Sequence, residues 1–461
     1  MNRRLTASAI FCSVALAAAE PPKLSTVRYD EDCLYLRDPG ARSGAWWEPL
    51  KFIPLNASGD VYLTFGNEAR LRYEVLRNHN FGEGPQDDDG YLWLRTLPSA
   101  DLHAGEHFRA FGQLVSAFAV DREPFERRVD ENRFDVLQAF TDFRFALLQP
   151  EHHLTIRLGR QMLKYGSDRL ISNRYGLNVP ESFDGLKAFA QFGSWQVDAF
   201  WVRPVESDFR VLDDEHDDKR ALWSLYLTKH LDAQKKIGLD AYYIGYESNA
   251  ATFNQGTAPE RRHTLGTRIF GISSGWDWNA EGIYQFGTFG DGNIRGWSVG
   301  SDTGYTFTKT RLSPRVSVKA NIISGDDDPT DPDLQTFNPL FPRGNYFGGM
   351  RLLGPYNLIN LHPSLALELH KHWSATLSAI FYWRENTGDG IYDNAGNLVR
   401  ADGSSTERYI GGQAEFLINY HPSRNLEIEC AVSHFTPSSF IEETGRSADA
   451  IFVSAEIRLT F

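Results

Sequence analysis

Beyond its first 19 residues the chain has no run approaching the ~20 consecutive apolar residues that a membrane-spanning helix needs. An exported product is therefore either soluble or a barrel. Cysteine is nearly absent, at 3, and Cys12 lies in the opening segment. That leaves Cys33 and Cys430, so one disulfide is possible but no disulfide framework is implied. Positive charge is in deficit, with 47 Lys and Arg against 60 Asp and Glu, and the net charge of −13 argues against a nucleic-acid partner. No linker or Pro/Gly/Ser tract divides the 461 residues, a length that suits two or three ordinary domains or one large barrel. Aromatic residues, at 13%, are abundant. These numbers fit an acidic soluble enzyme equally well, so pattern has to decide.

The opening "MNRRLTASAIFCSVALAAAEPP" places Arg3 and Arg4 before a short apolar run and then Ala17-Ala18-Ala19. That order is a secretory signal over 1–19, cut after Ala19. Residues 20–57 then read as a periplasmic N-terminal segment or plug, and 58–461 as the barrel.

The chain closes on "AIFVSAEIRLTF". Ile451, Val453, Ala455, Ile457, Leu459 and Phe461 share one face; Phe452, Ser454, Glu456, Arg458 and Thr460 share the other. A period of two is a strand. Similar segments recur near 61–76, 91–103, 107–119, 134–146, 152–162, 184–192, 195–204, 220–231, 236–247, 262–271, 275–287, 295–307, 312–323, 357–370, 372–385, 406–420, 425–435 and 449–461. About eighteen strands, an even number, suit an all-β, up-and-down antiparallel barrel of the bacterial outer membrane. Loop lengths carry more weight than the strands themselves. Short turns such as "AGEH", "QPEH", "FGSW" and "HPSRN" alternate with longer polar links at 77–90, 120–133, 163–183, 205–219, 248–261, 288–294, 324–356, 386–405 and 436–448. Short periplasmic turns and long outer loops are the layout of such a barrel. In "HWSATLSAIFYWRE", Trp373, Ala375, Leu377, Ala379, Phe381 and Trp383 form an apolar band with an aromatic at each end, as a lipid-facing strand requires.

The same parity sorts the charges. Glu68, Arg70, Arg72 and Glu74 point inward, as do Arg95, Arg109, Asp142 with Arg144, Arg157 with Gln161, Lys187, Asp198 and Asp240. Arg268, Glu281, Arg315 with Lys319, Glu368, Glu415, Glu427 with Glu429, and Glu456 with Arg458 join them. A barrel of this size holds an aqueous channel, and a lumen lined with guanidinium groups selects anions. Arginine suits carboxylates because its planar fork donates two parallel hydrogen bonds and keeps its charge. Interleaved acids hold each arginine and keep contacts weak enough for release. The competing reading, ladders of ion pairs that simply fill the lumen, stays open.

"LTIRLGRQMLKYGSDRLI" (154–171) followed by "FDGLKAF" (183–189) resembles the GRQ…YG…RL segment and following F-D-G strand of the alginate-export outer-membrane family. "YLWLRT", "FRAFGQL" and "QAFTDF" resemble its early strands. The resemblance implies an eighteen-stranded barrel that passively exports an anionic uronate polysaccharide through an arginine-lined constriction. By position, Arg70, Arg95, Arg157 and Arg458 become constriction donors, with Glu68, Asp142 and Glu456 as their partners, and Gln161 and Tyr165 orient the link after the fifth strand. That link, with Lys164, Arg169 and Arg174, is either an inward-folding plug or an ordinary outer loop.

"DDEHDD" (213–218) and "GDDDPTDPD" (325–333) lack the Gly-6 and Glu-12 of an EF-hand and read as solvated acidic loops, with no metal and no cofactor expected. His263, His362, His370, His372, His421 and His434 are scattered, with neither a Ser-His-acid spacing nor HExxH, which argues against an enzyme. The Gly-rich "FGDGNIRG" follows no βαβ unit, so nucleotide binding is negligible. The expected partners are outer-membrane lipid and lipopolysaccharide, an anionic polysaccharide or small acid, and periplasmic export proteins, with the channel itself a monomer. The second transport reading is uptake of small organic acids.

Overall fold

Along every long strand, side chains alternate between two surroundings. In the last, Ile451, Val453, Ile457 and Leu459 are exposed while Phe452, Ser454 and Glu456 are buried. The computed structural model describes residues 24–122, 127–147 and 152–461. The signal assigned to 1–19, with Cys12, lies outside them, as does most of the turn "QPEH".

Eighteen antiparallel strands close into one barrel. The first two are each interrupted once: β1 comprises Val61–Gly66 and Glu68–Arg77, and β2 comprises Tyr91–Thr96 and Ser99–Ala104. Pro98, with no amide hydrogen to donate, sits at the break in β2. Then follow β3 (Phe108–Val120), β4 (Asn132–Ala146), β5 (His153–Gln161), β6 (Phe183–Phe192), β7 (Trp195–Glu206), β8 (Arg220–His230) and β9 (Ile237–Phe253). The circuit continues through β10 (Gly256–Ser273), β11 (Trp276–Phe289), β12 (Gly292–Thr306), β13 (Arg315–Ile323) and β14 (Leu358–His370). It ends with β15 (Trp373–Arg384), β16 (Tyr409–Ser423), β17 (Leu426–Pro437) and β18 (Ala450–Thr460). Each strand pairs with its sequence neighbours, and β18 pairs with the upper part of β1 from Ile451↔Arg77 to Thr460↔Glu68, which removes the free edges. No helix among the described residues is long and apolar enough to cross a membrane.

The outward face is too apolar for water: Leu71, Leu158, Trp201, Leu265, Val299, Leu377 and Val432 are among its exposed residues. Aromatic pairs edge it. Trp373 stacks on Tyr420 with centroids 4.3 Å apart and Trp276 meets Tyr305 at 5.0 Å near the short turns, while Trp383 packs on Tyr409 at 5.4 Å near the long loops. Gly245 makes room for one such ring, since a Cβ there would stand 2.0 Å from the Trp223 indole.

Two expected outer loops are instead tight turns. β9 and β10 run on as a hairpin to Asn254-Gln255, and β11 and β12 turn at Gly290-Asp291, so 248–261 and 288–294 are mostly strand. Their polar residues suit strand beyond the lipid as well as they suit loop. Cys33 is buried, Cys430 is exposed on the outward face of β17, and both thiols are free. They occupy different surfaces, which rules out the possible disulfide.

Residues 24–57 carry short 3-10 turns, one helical turn at Glu48–Lys51 and a two-residue strand, Ile53–Pro54, paired with Leu63 and Tyr62. Cys33, Leu36, Trp47 and Phe52 pack with Tyr62 and against Phe461, at the end of the barrel that carries the short turns.

Candidate functional site: the barrel lumen

Two rows of charge cross the inner wall in register. Arg458 lies opposite Arg70, and Arg70 opposite Arg95, on β18, β1 and β2. Arg109 lies opposite Asp142, Asp142 opposite Arg157, and Arg157 opposite Lys187, on β3 to β6. Cross-strand like charges repel, so each row depends on carboxylates. Glu68 accepts from Arg95 Nε at 3.1 Å, Glu456 lies 3.3 Å from Arg72 Nη1, and Glu427 pairs with Arg458. Glu74 takes Arg72 at 2.6 Å and also pairs with Arg351. Asp142 holds Arg157 through a two-pronged fork, at 2.7 and 2.8 Å, and Asp101 holds Arg109 Nε at 2.8 Å.

What Arg70 and Arg95 of the first row touch differs from what the sequence implies. Arg70 Nη2 donates to the Leu177 carbonyl at 2.8 Å and to Asn178 Oδ1 at 3.1 Å, and Arg95 Nη1 donates to the carbonyls of Tyr175 and Leu177 at 3.1 and 2.7 Å. Tyr175 returns its hydroxyl to Glu68, and Asn178 Nδ2 reaches the backbone of Phe118 and Asp130. The segment 162–182 thus folds into the lumen, and Arg70 and Arg95 hold it there. Both are more than nine-tenths buried.

Within that segment Arg169 donates to Asn321 Oδ1 at 2.7 Å and lies 3.4 Å from Glu281, crossing to the far wall. Arg174 lies 3.5 Å from Glu181, and the exposed Lys164 lies 3.4 Å from Asp168. Gln161 is fully buried, and Tyr165 packs on Phe200 and Tyr226.

A second segment, 324–356, which the sequence places among the outer loops, also enters the lumen. Ile171 and Phe341 form a parallel bridge between the two segments. Phe337, Phe341, Phe347, Met350, Leu352 and Leu353 are buried with Leu163, Leu170 and Ile171 against Tyr226, Tyr242, Tyr382 and Phe452 of the wall. The signal was present in "LQTFNPLFPRGNYFGGMRLLGPY": a solvated loop has no use for so many large apolar side chains.

Other expected residues scatter. Arg144 is exposed near the periplasmic end of β4, one inward position below Asp142 and opposite Thr155, outside the register of either row. Arg315 pairs with Asp277 on β11, with Nε at 2.9 Å, and Lys319 donates to the Tyr346 carbonyl at 2.9 Å. Asp240 binds Arg268 at 2.7 Å and the Tyr226 hydroxyl at 2.7 Å, and Glu281 takes the hydroxyls of Tyr242 and Ser167 at 2.7 and 2.6 Å. Trp93, fully buried beneath Arg70, Arg72 and Arg351, was missed, although it shares a face with Arg95. Ser167, Arg169, Asp302, Lys319 and Arg343 are among the residues lining a polar cavity of about 110 Å³.

At the outer rim, carboxylate oxygens of Asp135, Asp213 and Asp214 lie within 4.8 Å of one another. Asp135 already accepts from the amides of Asp213 and Asp214 at 2.8 and 3.0 Å. Burial, with Asp135 beside it, pushes the Asp214 carboxyl up to about 6.

The profile of the alginate-export family matches residues 61–454, nearly all of the barrel. The chain belongs to the alginate-export family. No curated protein sequence matches it. Among solved structures it is similar to Pseudomonas aeruginosa OccK3 (OpdO), at 11% identity and a TM-score of 0.55, with 87% of this chain and 95% of that one covered. It is also similar to Pseudomonas aeruginosa OccD3 (OpdP), at 10% identity and a TM-score of 0.57 over 89% and 93%. Pseudomonas aeruginosa OccK2 (OpdF) in complex with glucuronate aligns at 11% identity and a TM-score of 0.55 over 91% and 100%. These likenesses bear on the fold. Family membership and barrel together make this chain a bacterial outer-membrane channel and not an enzyme.

Proposed function

We propose that this member of the alginate-export family carries an anionic, alginate-like polysaccharide outward, with the Arg109–Asp142–Arg157–Lys187 row as the periplasmic contact for successive carboxylates. The observation that carries the reading is that row: four strands present three cations and one acid in direct cross-strand register. Asp142 and Asp101 each engage one edge of the Arg157 and Arg109 guanidinium groups, so a docking uronate shares these cations with wall carboxylates, is held less tightly than by a free arginine, and can move on. The acidic outer loops favour the same direction, because an anion leaving meets the arginines first and the aspartates last. The two inward segments must shift for a chain of sugars to pass, which makes them the gate.

Uptake of small organic acids is the second reading. The 110 Å³ cavity beside Lys319 and Arg343 favours it, being of a size for one small acid and not for a polymer. Single-channel recording in planar bilayers separates the two. Block by oligouronates added at the periplasmic side, deepening with chain length, is the expected result. Block by small acids alone, with no dependence on length, would support uptake.

A further inference from the structure

Arg157 is the best-placed cation of the periplasmic row, yet only 3% of it is exposed, because residue 29 of the chain lies on top of it. The Tyr29 ring centroid sits 4.1 Å from the Arg157 guanidinium carbon, and the neighbouring Phe140 ring centroid sits 3.8 Å from it. Edge contacts to Phe111 at 5.7 Å and Phe140 at 5.0 Å hold the ring, and its hydroxyl donates to the Met162 carbonyl at 2.9 Å, where the inward segment begins. The Tyr29 carbonyl accepts from Arg109 Nη2 at 2.6 Å. The next residue, Asp30, is exposed and stands in the field of Lys187, Arg157 and Arg109. An aromatic ring and a carbonyl thus meet Arg157 and Arg109, with a carboxylate in the field of all three cations, and a uronate sugar brings comparable groups: the apolar C–H face of its ring, hydroxyl oxygens and an acid.

We infer that residues 24–37 are an internal ligand of the channel: Tyr29 and Asp30 occupy the subsite for one uronate unit and leave it when an anionic polysaccharide enters from the periplasm. The inference rests on the polysaccharide reading above and adds to it the regulation of that site.

The segment has little regular structure to keep it in place: two short 3-10 turns, Arg28–Asp30 and Leu34–Arg37. Arg28 ties it to the Phe461 carbonyl and, at 2.6 Å, to Glu31, which Lys51 approaches to 3.7 Å. Val27, Arg28, Cys33 and Leu36 are buried, so the segment leaves only when an incoming ligand replaces its contacts with the cationic row. A tethered ligand acts at an effective concentration near the millimolar range, so one sugar does not displace it while a polymer offering several carboxylates in sequence does. The channel then conducts small ions only weakly when no polymer is present.

The test uses the full-length protein with Tyr29→Ala and Asp30→Asn combined, changes that leave the barrel wall intact. In planar bilayers without polymer the double variant is expected to conduct more than wild type, and oligouronates are expected to bind it about tenfold more tightly, as loss of a competing contact of this kind implies. The buried Cys33 supplies a second readout in a Cys430→Ser background. A charged maleimide is expected to label it faster when oligouronate is added, and no faster with a neutral oligosaccharide of equal length. Unchanged conductance in the variant together with unchanged Cys33 labelling would overturn the internal ligand. A conductance gain with no oligouronate effect on either protein would instead overturn the polysaccharide reading beneath it, and with it the competition.

Discussion

A guanidinium facing a barrel lumen can bind cargo or hold architecture, and what its donors touch decides which. Arg70 and Arg95 spend theirs on the carbonyls of 175–178, so Arg70→Ala is expected to loosen the inward segment, with noisier and larger currents and little change in ion preference. Bilayer recordings check this; quiet currents with lost anion preference would place Arg70 among the cargo groups instead. Arg157 is different. Its fork on Asp142 is buried on both sides, and Arg157→Ala leaves a carboxylate uncompensated, at a cost of about 3–5 kcal/mol. Arg157→Ala with Asp142→Ala should recover most of that stability while still lowering anion preference, and urea unfolding in detergent reads the first effect. The inward orientation of these residues was legible in the sequence, because parity alone sets the side of the wall. Their partners were not. Arg70 and Leu177 are 107 positions apart, and nothing in a strand's alternation says which loop will fold back onto it.

At the scale of elements, the strands were readable and the loops only partly so. Length and polarity mark a link as outer, but 324–356 is long, rich in glycine and proline, and still enters the lumen, because its apolar side chains have no other place to be buried. Replacing 334–352 with a Gly-Ser linker is therefore expected to raise single-channel conductance several-fold; an unchanged value would mean that 162–182 closes the lumen unaided. The acidic loops make a separate prediction about pH. Asp214 and Asp326 both have carboxyls raised to about 6, each chiefly by burial. Such a group takes up a proton more readily folded than unfolded. Its stabilising contribution is complete below about 4, the ordinary carboxylate range, and is lost as pH rises through about 6. Limited proteolysis within 205–219 and 324–334 is expected to be slower at pH 5 than at pH 7.5. Equal rates would count against the raised carboxyls.

For the molecule as a whole, closure does two things at once. It pairs every strand edge, and it separates an apolar exterior from an interior where charged groups can face one another across water or loop. The interior is not empty. Its outer part is filled by two segments sharing one apolar core, and its periplasmic end is met by residues 24–57. A constricted lumen follows from that arrangement, and under the proposed reading the cargo is what widens it. Composition could not have shown it, since the same −13 net charge describes an open pore and a stoppered one. The most direct test of the account is the reversal potential of the full-length protein in asymmetric KCl, measured with oligouronate added on the periplasmic side and then washed out. The account predicts a potential on the anion-selective side that weakens while oligouronate occupies the cationic row and returns on washout. A cation-selective potential that oligouronate leaves untouched would contradict it.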